Sequence, residues 1–220
     1  MAVAQLAVFV RPPIAGVAKT RLAGTMGHEG AAALYEAFVE DTLRLCARIR
    51  SAGRVDIAIW HAGEADERIA AWAGWVDGSM HAQPEGTLGD RLHAAFVHGL
   101  ANYERVVAIG SDAPTLPFEL VVAAFDALAD ARLVLGPTSD GGYYAIGASN
   151  QVAPVLEAVR WSTVHTFEDT RSANADSSTV VLPPWYDVDE DADLQLLRAH
   201  LALDPSAAPS TFERLSAVYK

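Results

Sequence analysis

Gly110-Ser111-Asp112-Ala113-Pro114-Thr115-Leu116 follows the apolar run Val106-Val107-Ala108-Ile109 and precedes an amphipathic stretch that begins at Phe118. That order reads as a buried strand, a tight turn and a helix. In an open α/β sheet the turn after such a strand lies at the carboxyl edge, where ligands bind. Asp112 is expected there as a carboxylate at the mouth of a crevice, suited to a divalent cation through oxygen. It suits a plain turn or a helix cap equally well, the commoner use of aspartate before a helix. Pro114 and Pro117 stiffen the backbone that follows, and Pro117 fits the first helical position.

Upstream, Gln5 to Val10 reads as a first buried strand, and the loop after it runs Arg11-Pro12-Pro13-Ile14-Ala15-Gly16-Val17-Ala18-Lys19-Thr20-Arg21-Leu22. Three positive charges, two prolines and a glycine in one strand-end loop fit an anion cradle. Gly16 allows close backbone approach, Lys19 supplies a point charge and Arg21 a planar fork for phosphate oxygens. The spacing is not that of a Walker A loop, and a solvated basic loop is the plainer reading. From His28 to Ile49 the residues Leu34, Tyr35, Phe38, Val39, Leu43, Leu45, Cys46 and Ile49 recur at helical spacing, predicting a long helix. A second strand, Val55 to Trp60, and a short helix, Ala65 to Ala73, follow. This β-α-β order implies a parallel pair with a right-handed crossover.

Next come Gly86-Thr87-Leu88-Gly89-Asp90-Arg91 and a helical run from Ala94 to Tyr103. Thr87 and Asp90 have the form of a capping box. Gly86 and Gly89 would let a ligand approach, and Arg91 would reach a phosphate or pair with an acidic neighbour. Beyond the central turn, Glu119 to Ala129 reads as helix and Arg132 to Leu135 as strand. The strand runs into Gly136-Pro137-Thr138-Ser139-Asp140-Gly141-Gly142-Tyr143-Tyr144. Asp-Gly-Gly between apolar strands is a hairpin signal. The same loop leaves room for an acceptor or sugar, whose hydroxyls Asp140 would bind. Trp161-Ser162-Thr163 follows a predicted short helix, with Thr163 a cap for the next. After a short strand, Thr179 to Leu182, comes Tyr186-Asp187-Val188-Asp189. There the two aspartates are expected to point opposite ways, one facing the crevice and the other capping the helix that begins near Asp191. Ala208 to Lys220 reads as a last short helix.

Of 220 residues, 51% are hydrophobic, enough for one domain with a substantial core. Lys and Arg total 16 against 28 Asp and Glu, a net charge of −12 that argues against nucleic-acid or anionic-membrane partners. No apolar run reaches bilayer length and no signal-peptide pattern opens the chain, so a soluble cytoplasmic protein is expected. Cys46, the one cysteine, rules out an internal disulfide and a cysteine-rich metal site.

Six motifs in order carry a family resemblance: the Arg11–Leu22 loop, Gly86–Arg91, Gly110–Pro114, Gly136–Tyr144, Trp161–Thr163 and Tyr186–Asp189. The chain resembles bacterial transferases of the GT-A, or nucleotide-diphospho-sugar transferase, fold. Members of that family are often labelled glycosyltransferases, including a group associated with selenodomains and arsenosugars. The chain is more distantly similar to the guanylyltransferase that activates 2-phospho-L-lactate, through Ala18–Leu22 and the central aspartate. The likeness runs from the first strand to about Leu197. Arg11 stands where Lys is commoner, Ala15 where a second proline is common, Thr87 where an acidic residue is usual, and Glu190 where Thr or Ser often follows. None of these removes a metal ligand.

The resemblance implies one three-layer α/β/α domain over residues 1–220, with a Rossmann-like, mostly parallel sheet and one antiparallel excursion. It implies Mg2+ or Mn2+ on Asp112 with Asp187 or Asp189. Donor phosphates would lie on Lys19, Arg21 and Arg11, with Gly16, Gly86, Arg91, Gly141 and Gly142 also lining the donor site. Asp140 would face acceptor or sugar. The partners would be a nucleoside triphosphate or nucleotide sugar and a small acceptor, with an oligomer open. Glycosyl transfer, nucleotidyl transfer and nucleotide binding without turnover remain as three readings.

Overall fold

Alternation along the strands decides how the sheet is covered. In β1 (Ala4–Val10) the residues Leu6, Val8 and Val10 enter one hydrophobic cluster and Ala7 another; in β4 (Arg105–Ile109) Val107 and Ile109 enter the first, Val106 and Ala108 the second. Both sheet faces are therefore buried, as parallel sheets require. The computed structural model describes residues 3–53, 55–149, 152–175 and 177–218.

The remaining strands are β2 (Val55–His61), β3 (Ser79–Ala82), β5 (Leu133–Pro137), β6 (Tyr143–Ser149) and β7 (Thr179–Val181). The seven form one sheet in the order β3-β2-β1-β4-β6-β5-β7. Only β6 runs antiparallel, to β4 on one side and β5 on the other. The helices are α1 (Ala23–Ala52), α2 (Glu67–Trp75), α3 (Leu88–Leu100), α4 (Phe118–Ala127), α5 (Thr166–Ala173), α6 (Asp191–Leu203) and α7 (Pro209–Val218). Leu34, Phe38, Val121, Leu197 and Leu215, from α1, α4, α6 and α7, cover one face. Leu92, Ala95 and Phe96 of α3 cover the other, and Phe167 of α5 packs against them. On that second face the sheet offers Ala7, Ala58 and Ala108, whose small side chains let α3 lie close.

The expected α/β/α sheet with one antiparallel strand is the observed one. The predicted start of the long helix at His28 marks a real break, because Gly27 is non-helical (φ 73) and a short preceding turn is kinked off there. Cys46 is fully buried, and burial pushes its thiol up to about 12. The final helix covers Pro209–Val218; residues 219 and 220, included in the sequence expectation, lie outside the described ones.

Two expectations fail. The edge strand β3 is absent from the sequence reading. It is four residues long and mostly exposed, so it carries no apolar alternation. The short helix expected before Trp161 does not form. Ala158 takes φ 61, and the Asn174 amide both accepts from the Val155 N–H (2.9 Å) and donates to its carbonyl (2.8 Å), satisfying the backbone without a helix. Thr163 accepts from the His165 N–H (3.2 Å), whereas the cap position of α5 is His165. Among the described residues no helix is long and apolar enough to cross a membrane.

Candidate active site

The sheet order changes direction between β1 and β4, and the loops that leave their carboxyl ends diverge to open a crevice. Two cavities lie there, and Arg11, Tyr35 and Asp112 line both. The first, about 210 Å3, is walled by Phe9, Leu88, Leu92, Ile146 and the rings of Tyr143 and Tyr144, with Gln83 and Arg91 as polar groups. The second, about 180 Å3, is polar and adds Val17, Lys19, Thr20, Arg21 and Asp189. One has the apolar walls a base and sugar need, the other the cations a phosphate needs.

Lys19 is the hub of the second cavity. Its backbone is left-handed (φ 48, ψ 44), an uncommon state for a residue with a side chain and one that collects at functional sites. That turn aims a side chain only 5% exposed between two carboxylates: the ammonium pairs with Asp112 and, at 2.6 Å, with Asp189. Burial pushes the Lys19 ammonium down, but the Asp112 and Asp189 charges outweigh it and leave it above its ordinary value. Burial pushes the Asp112 carboxyl up, yet its pairing with Lys19, helped by Arg11, holds it below the usual range. Both groups are charged at neutral pH.

The segment after β7 delivers the other aspartates. The Trp185 N–H donates to the Pro137 carbonyl (3.0 Å) and the Val188 N–H to the Asp112 carbonyl (2.9 Å), zipping this stretch along the exits of β5 and β4. Thr115 donates to the Tyr186 hydroxyl (2.9 Å), which lies 2.7 Å from His200 Nδ1 on α6. Val188 is fully buried; Asp189 lines the cationic cavity, and Asp187 lies near enough to Asp189, Asp140 and Lys19 to feel all three charges. The expectation that Asp187 and Asp189 point opposite ways is thereby overturned, because residues two apart in extended chain share a face. Neither caps α6: Glu190 is the N-cap, and Asp193 in the first turn completes a capping box by accepting from the Glu190 N–H at 2.9 Å. Burial first, then the Asp140 and Asp189 charges, push the Asp187 carboxyl up to about 7, with Lys19 pulling the other way.

The hairpin between β5 and β6 holds Asp140. Its Oδ1 accepts from the Thr138 hydroxyl and from the Gly142 N–H (2.9 Å), which closes the turn. Gly141 takes φ 88, and a Cβ there would strike the Val164 backbone, so this hairpin lies directly on the loop that follows Trp161.

The remaining sequence-predicted residues divide. Arg21 is exposed and pairs with Glu190 at 3.1 Å on the rim of the polar cavity. Gly16 (φ 79) has His28 Nδ1 4.0 Å from where a Cβ would stand and serves the turn. Gly86 (φ 121) packs on Asp90 beneath the capping box of α3, which forms as read. Arg91 sits in the apolar cavity, 3.4 Å from Gln83 Oε1, and not beside Lys19 and Arg21. Sequence reading passed over Tyr35, which looked like one more residue of an apolar stripe, and Gln83. The Gln83 amide donates to the Val10 and Trp60 carbonyls (3.2 and 2.8 Å), tying together the ends of β1 and β2.

A divalent ion does not fit this arrangement. Lys19 already occupies both Asp112 and Asp189 as an ion-pair partner, and among the described residues no three His, Cys, Asp or Glu side chains are grouped to hold a metal.

The sheet order, its single reversed strand and the crevice define a nucleotide-diphospho-sugar transferase fold. Residues 43–163 match the model of a family described as uncharacterised proteins conserved in bacteria, DUF2064, and the chain belongs to that family. It is similar to a crystal structure from Desulfovibrio desulfuricans G20, provisionally assigned as a nucleotide-diphospho-sugar transferase: 31% identity over 99% of this chain and 95% of that one, TM-score 0.85. CMP:2-keto-3-deoxy-manno-octonic acid synthetase, solved with CTP, aligns over 91% and 99% of the two chains at 13% identity, TM-score 0.58. Rv0371c from Mycobacterium tuberculosis H37Rv, solved with manganese, aligns over 90% and 98% at 14%, TM-score 0.55. These last two show the fold alone. No curated protein matches the chain.

Proposed function

We propose that this chain is a cytoplasmic, single-domain transferase that takes a nucleoside-phosphate donor and passes part of it to a small acceptor. One observation carries this reading: an apolar cavity and a cationic cavity that share Arg11, Tyr35 and Asp112 at the sheet's switch point. Base and ribose would fill the first, between Leu88, Leu92 and Tyr143. Phosphates would enter the second, where Lys19, Arg21 and Arg11 balance their charge, which grows on the leaving group as the bond breaks.

Glycosyl transfer is the version we favour, supported by the 31% identical relative. An acceptor hydroxyl would attack the sugar's anomeric carbon and a nucleoside phosphate would depart. The acceptor would lie on the Asp140 hairpin, where Oδ2 is left for its hydroxyl because Oδ1 is used by the turn. The pairing of Lys19 with Arg21 at one cavity supports nucleotidyl transfer instead, with a triphosphate as donor and pyrophosphate as product. Mg2+ or Mn2+, expected from the resemblance, enters no step here, because the arrangement does not accommodate it.

The test is a thermal-shift panel of four nucleoside triphosphates and common nucleotide sugars, with Mg2+, Mn2+ or EDTA. A ligand at about a hundred times its Kd adds roughly 2.7 kcal/mol, a shift of several degrees at this size. A shift selective for one base, lost in Asp112→Asn, supports the donor site; no shift with any compound sinks it. Nucleoside diphosphate among the products means glycosyl transfer, and pyrophosphate means nucleotidyl transfer.

A further inference from the structure

Gln5 and Asp56 stand opposite each other near the amino-terminal starts of β1 and β2, at the end of the sheet away from the crevice. With His81 of β3, His98 in the last turn of α3, and Asn102 and Tyr103 just beyond that helix, they line a cavity of about 410 Å3. Five residue steps of β1 separate Gln5 from Val10 in the apolar cavity of the crevice, about 16 Å of extended chain. We infer that this remote cavity is a second ligand site, and that it takes the primary ammonium of a small organic amine.

Three observations carry it. First, donors in the lining are already in use, while a carboxylate oxygen is left over. Tyr103 donates to one Asp56 oxygen (2.9 Å) and Asn102 Nδ2 to the His98 carbonyl (3.2 Å). The Ser79 hydroxyl and His81 Nε2 satisfy each other at 2.8 Å. Among the described residues no group bonds to the second Asp56 oxygen. An ammonium has three donors and no acceptor, which is what such a lining lacks.

Second, the Gln5 side chain is only 2% exposed, and its Oε1 has no hydrogen-bond partner. A buried carbonyl without a partner is costly, and in a low-dielectric wall its dipole acts beyond direct contact. A cation held by Asp56, its neighbour across the two strands, offsets that cost.

Third, charge and shape suit an alkylammonium. Among the described residues the lining holds one carboxylate and neither Lys nor Arg, so it attracts a cation and repels an anion. The His81 ring stacks on Trp60 (centroids 5.0 Å apart) and lies 4.3 Å from the His98 ring, giving the carbon chain of an amine a wall of rings. Burial first, then His98 and His61, hold the His81 imidazole below its ordinary value, so at neutral pH it puts no charge beside the ammonium.

The experiment is proton–nitrogen NMR of the whole chain at neutral pH, titrated with three probes of one length: n-butylammonium, butan-1-ol and butanoate. Only n-butylammonium is expected to give saturable shifts, centred on the amides of Asp56, Ser79 and His98 to Tyr103. Asp56→Asn keeps the shape and removes the charge, and it should weaken that binding at least tenfold. Circular dichroism checks that the variant folds; if it does not, the three probes on wild type decide alone. Equal shifts with butan-1-ol would mean an apolar recess with no use for charge. Shifts spread over many acidic residues would mean counter-ions gathered by a chain of net charge −12. Either result overturns the site, as does no saturation at tens of millimolar or undiminished binding by folded Asp56→Asn.

Discussion

The hydroxyl of Tyr35, on α1, lies 2.7 Å from the Ser111 hydroxyl in the turn after β4. The direction of that bond is fixed by its neighbours. Ser111 donates its one proton to the Phe9 carbonyl (3.0 Å), so Tyr35 must donate to Ser111, and the Tyr35 oxygen accepts from the Arg11 N–H (3.1 Å). One relay therefore ties the exits of β1 and β4, the two loops that frame both cavities, to the longest helix. Burial, then the Asp112 charge, push the Tyr35 hydroxyl above its ordinary value, so it remains a donor at neutral pH.

Tyr35→Phe removes the middle of this relay while keeping the ring. It strips the Arg11 N–H of its acceptor, and an unpaired buried group costs about 1–3 kcal/mol. Urea denaturation should show a loss in that range. Nucleotide affinity should fall as well, because the Arg11 loop loses its anchor. A stability loss with unchanged affinity would mean that the relay holds the fold and not the loop.

Much of this could be read from the chain, and the reasons differ by element. The strands β1 and β4 were legible because both faces of the sheet are covered, which makes them continuous apolar runs. Helix α1 was legible through its stripe from Leu34 to Ile49. The edge strand β3 and the irregular stretch before Trp161 were not, since one lacks a pattern and the other has helical spacing that Asn174 and the Ala158 turn override. At the site, the charges of Lys19, Asp112 and Asp189 were visible, but not that one ammonium pairs with both carboxylates. That pairing depends on a left-handed backbone at Lys19 and on the Val188-to-Asp112 hydrogen bond, both products of tertiary structure. Arg91 is legible as a charge that could reach a phosphate or an acidic neighbour, but its place in the wall of the apolar cavity depends on tertiary structure.

Gly141→Ala tests the acceptor side. A left-handed conformation costs a residue with a Cβ roughly 1–2 kcal/mol, and here the added atom also meets the Val164 backbone. The hairpin and the Val164 loop must separate, moving Asp140. Turnover is expected to fall at least tenfold, with nucleotide affinity within about twofold of wild type. An equal loss in both would place the hairpin on the donor side.

Asp41 anchors α7 far along the chain from the motifs. Its side chain is 1% exposed, and its two oxygens accept from the Ser210 and Thr211 N–H groups (3.0 and 2.8 Å) at the start of that helix. Asp41→Ala leaves two amides without acceptors at a helix end, at a cost of about 1–3 kcal/mol each when buried. The melting temperature should drop by several degrees, with ligand-induced shifts unchanged. Loss of the shifts would show that α7 supports the crevice.

Asp187 should make the metal-free protein pH-sensitive. Its carboxyl is pushed up to about 7 by burial and by Asp140 and Asp189, against about 3.9 in an unfolded chain. Between those values the folded state holds a proton that the unfolded state has released. Stability therefore falls as pH rises from about 4 to about 7 and is level above, so far as this group decides it. Asp187→Asn keeps the shape and cannot ionise, so the fall should vanish. Melting temperatures of both proteins in EDTA, taken at half-unit steps from pH 4.5 to 8.5, give the difference directly. Wild type should lose ground to the variant up to about pH 7 and hold a constant gap beyond it. Parallel curves would mean that Asp187 ionises freely, and that the Asp140, Asp187 and Asp189 carboxylates do not share one field.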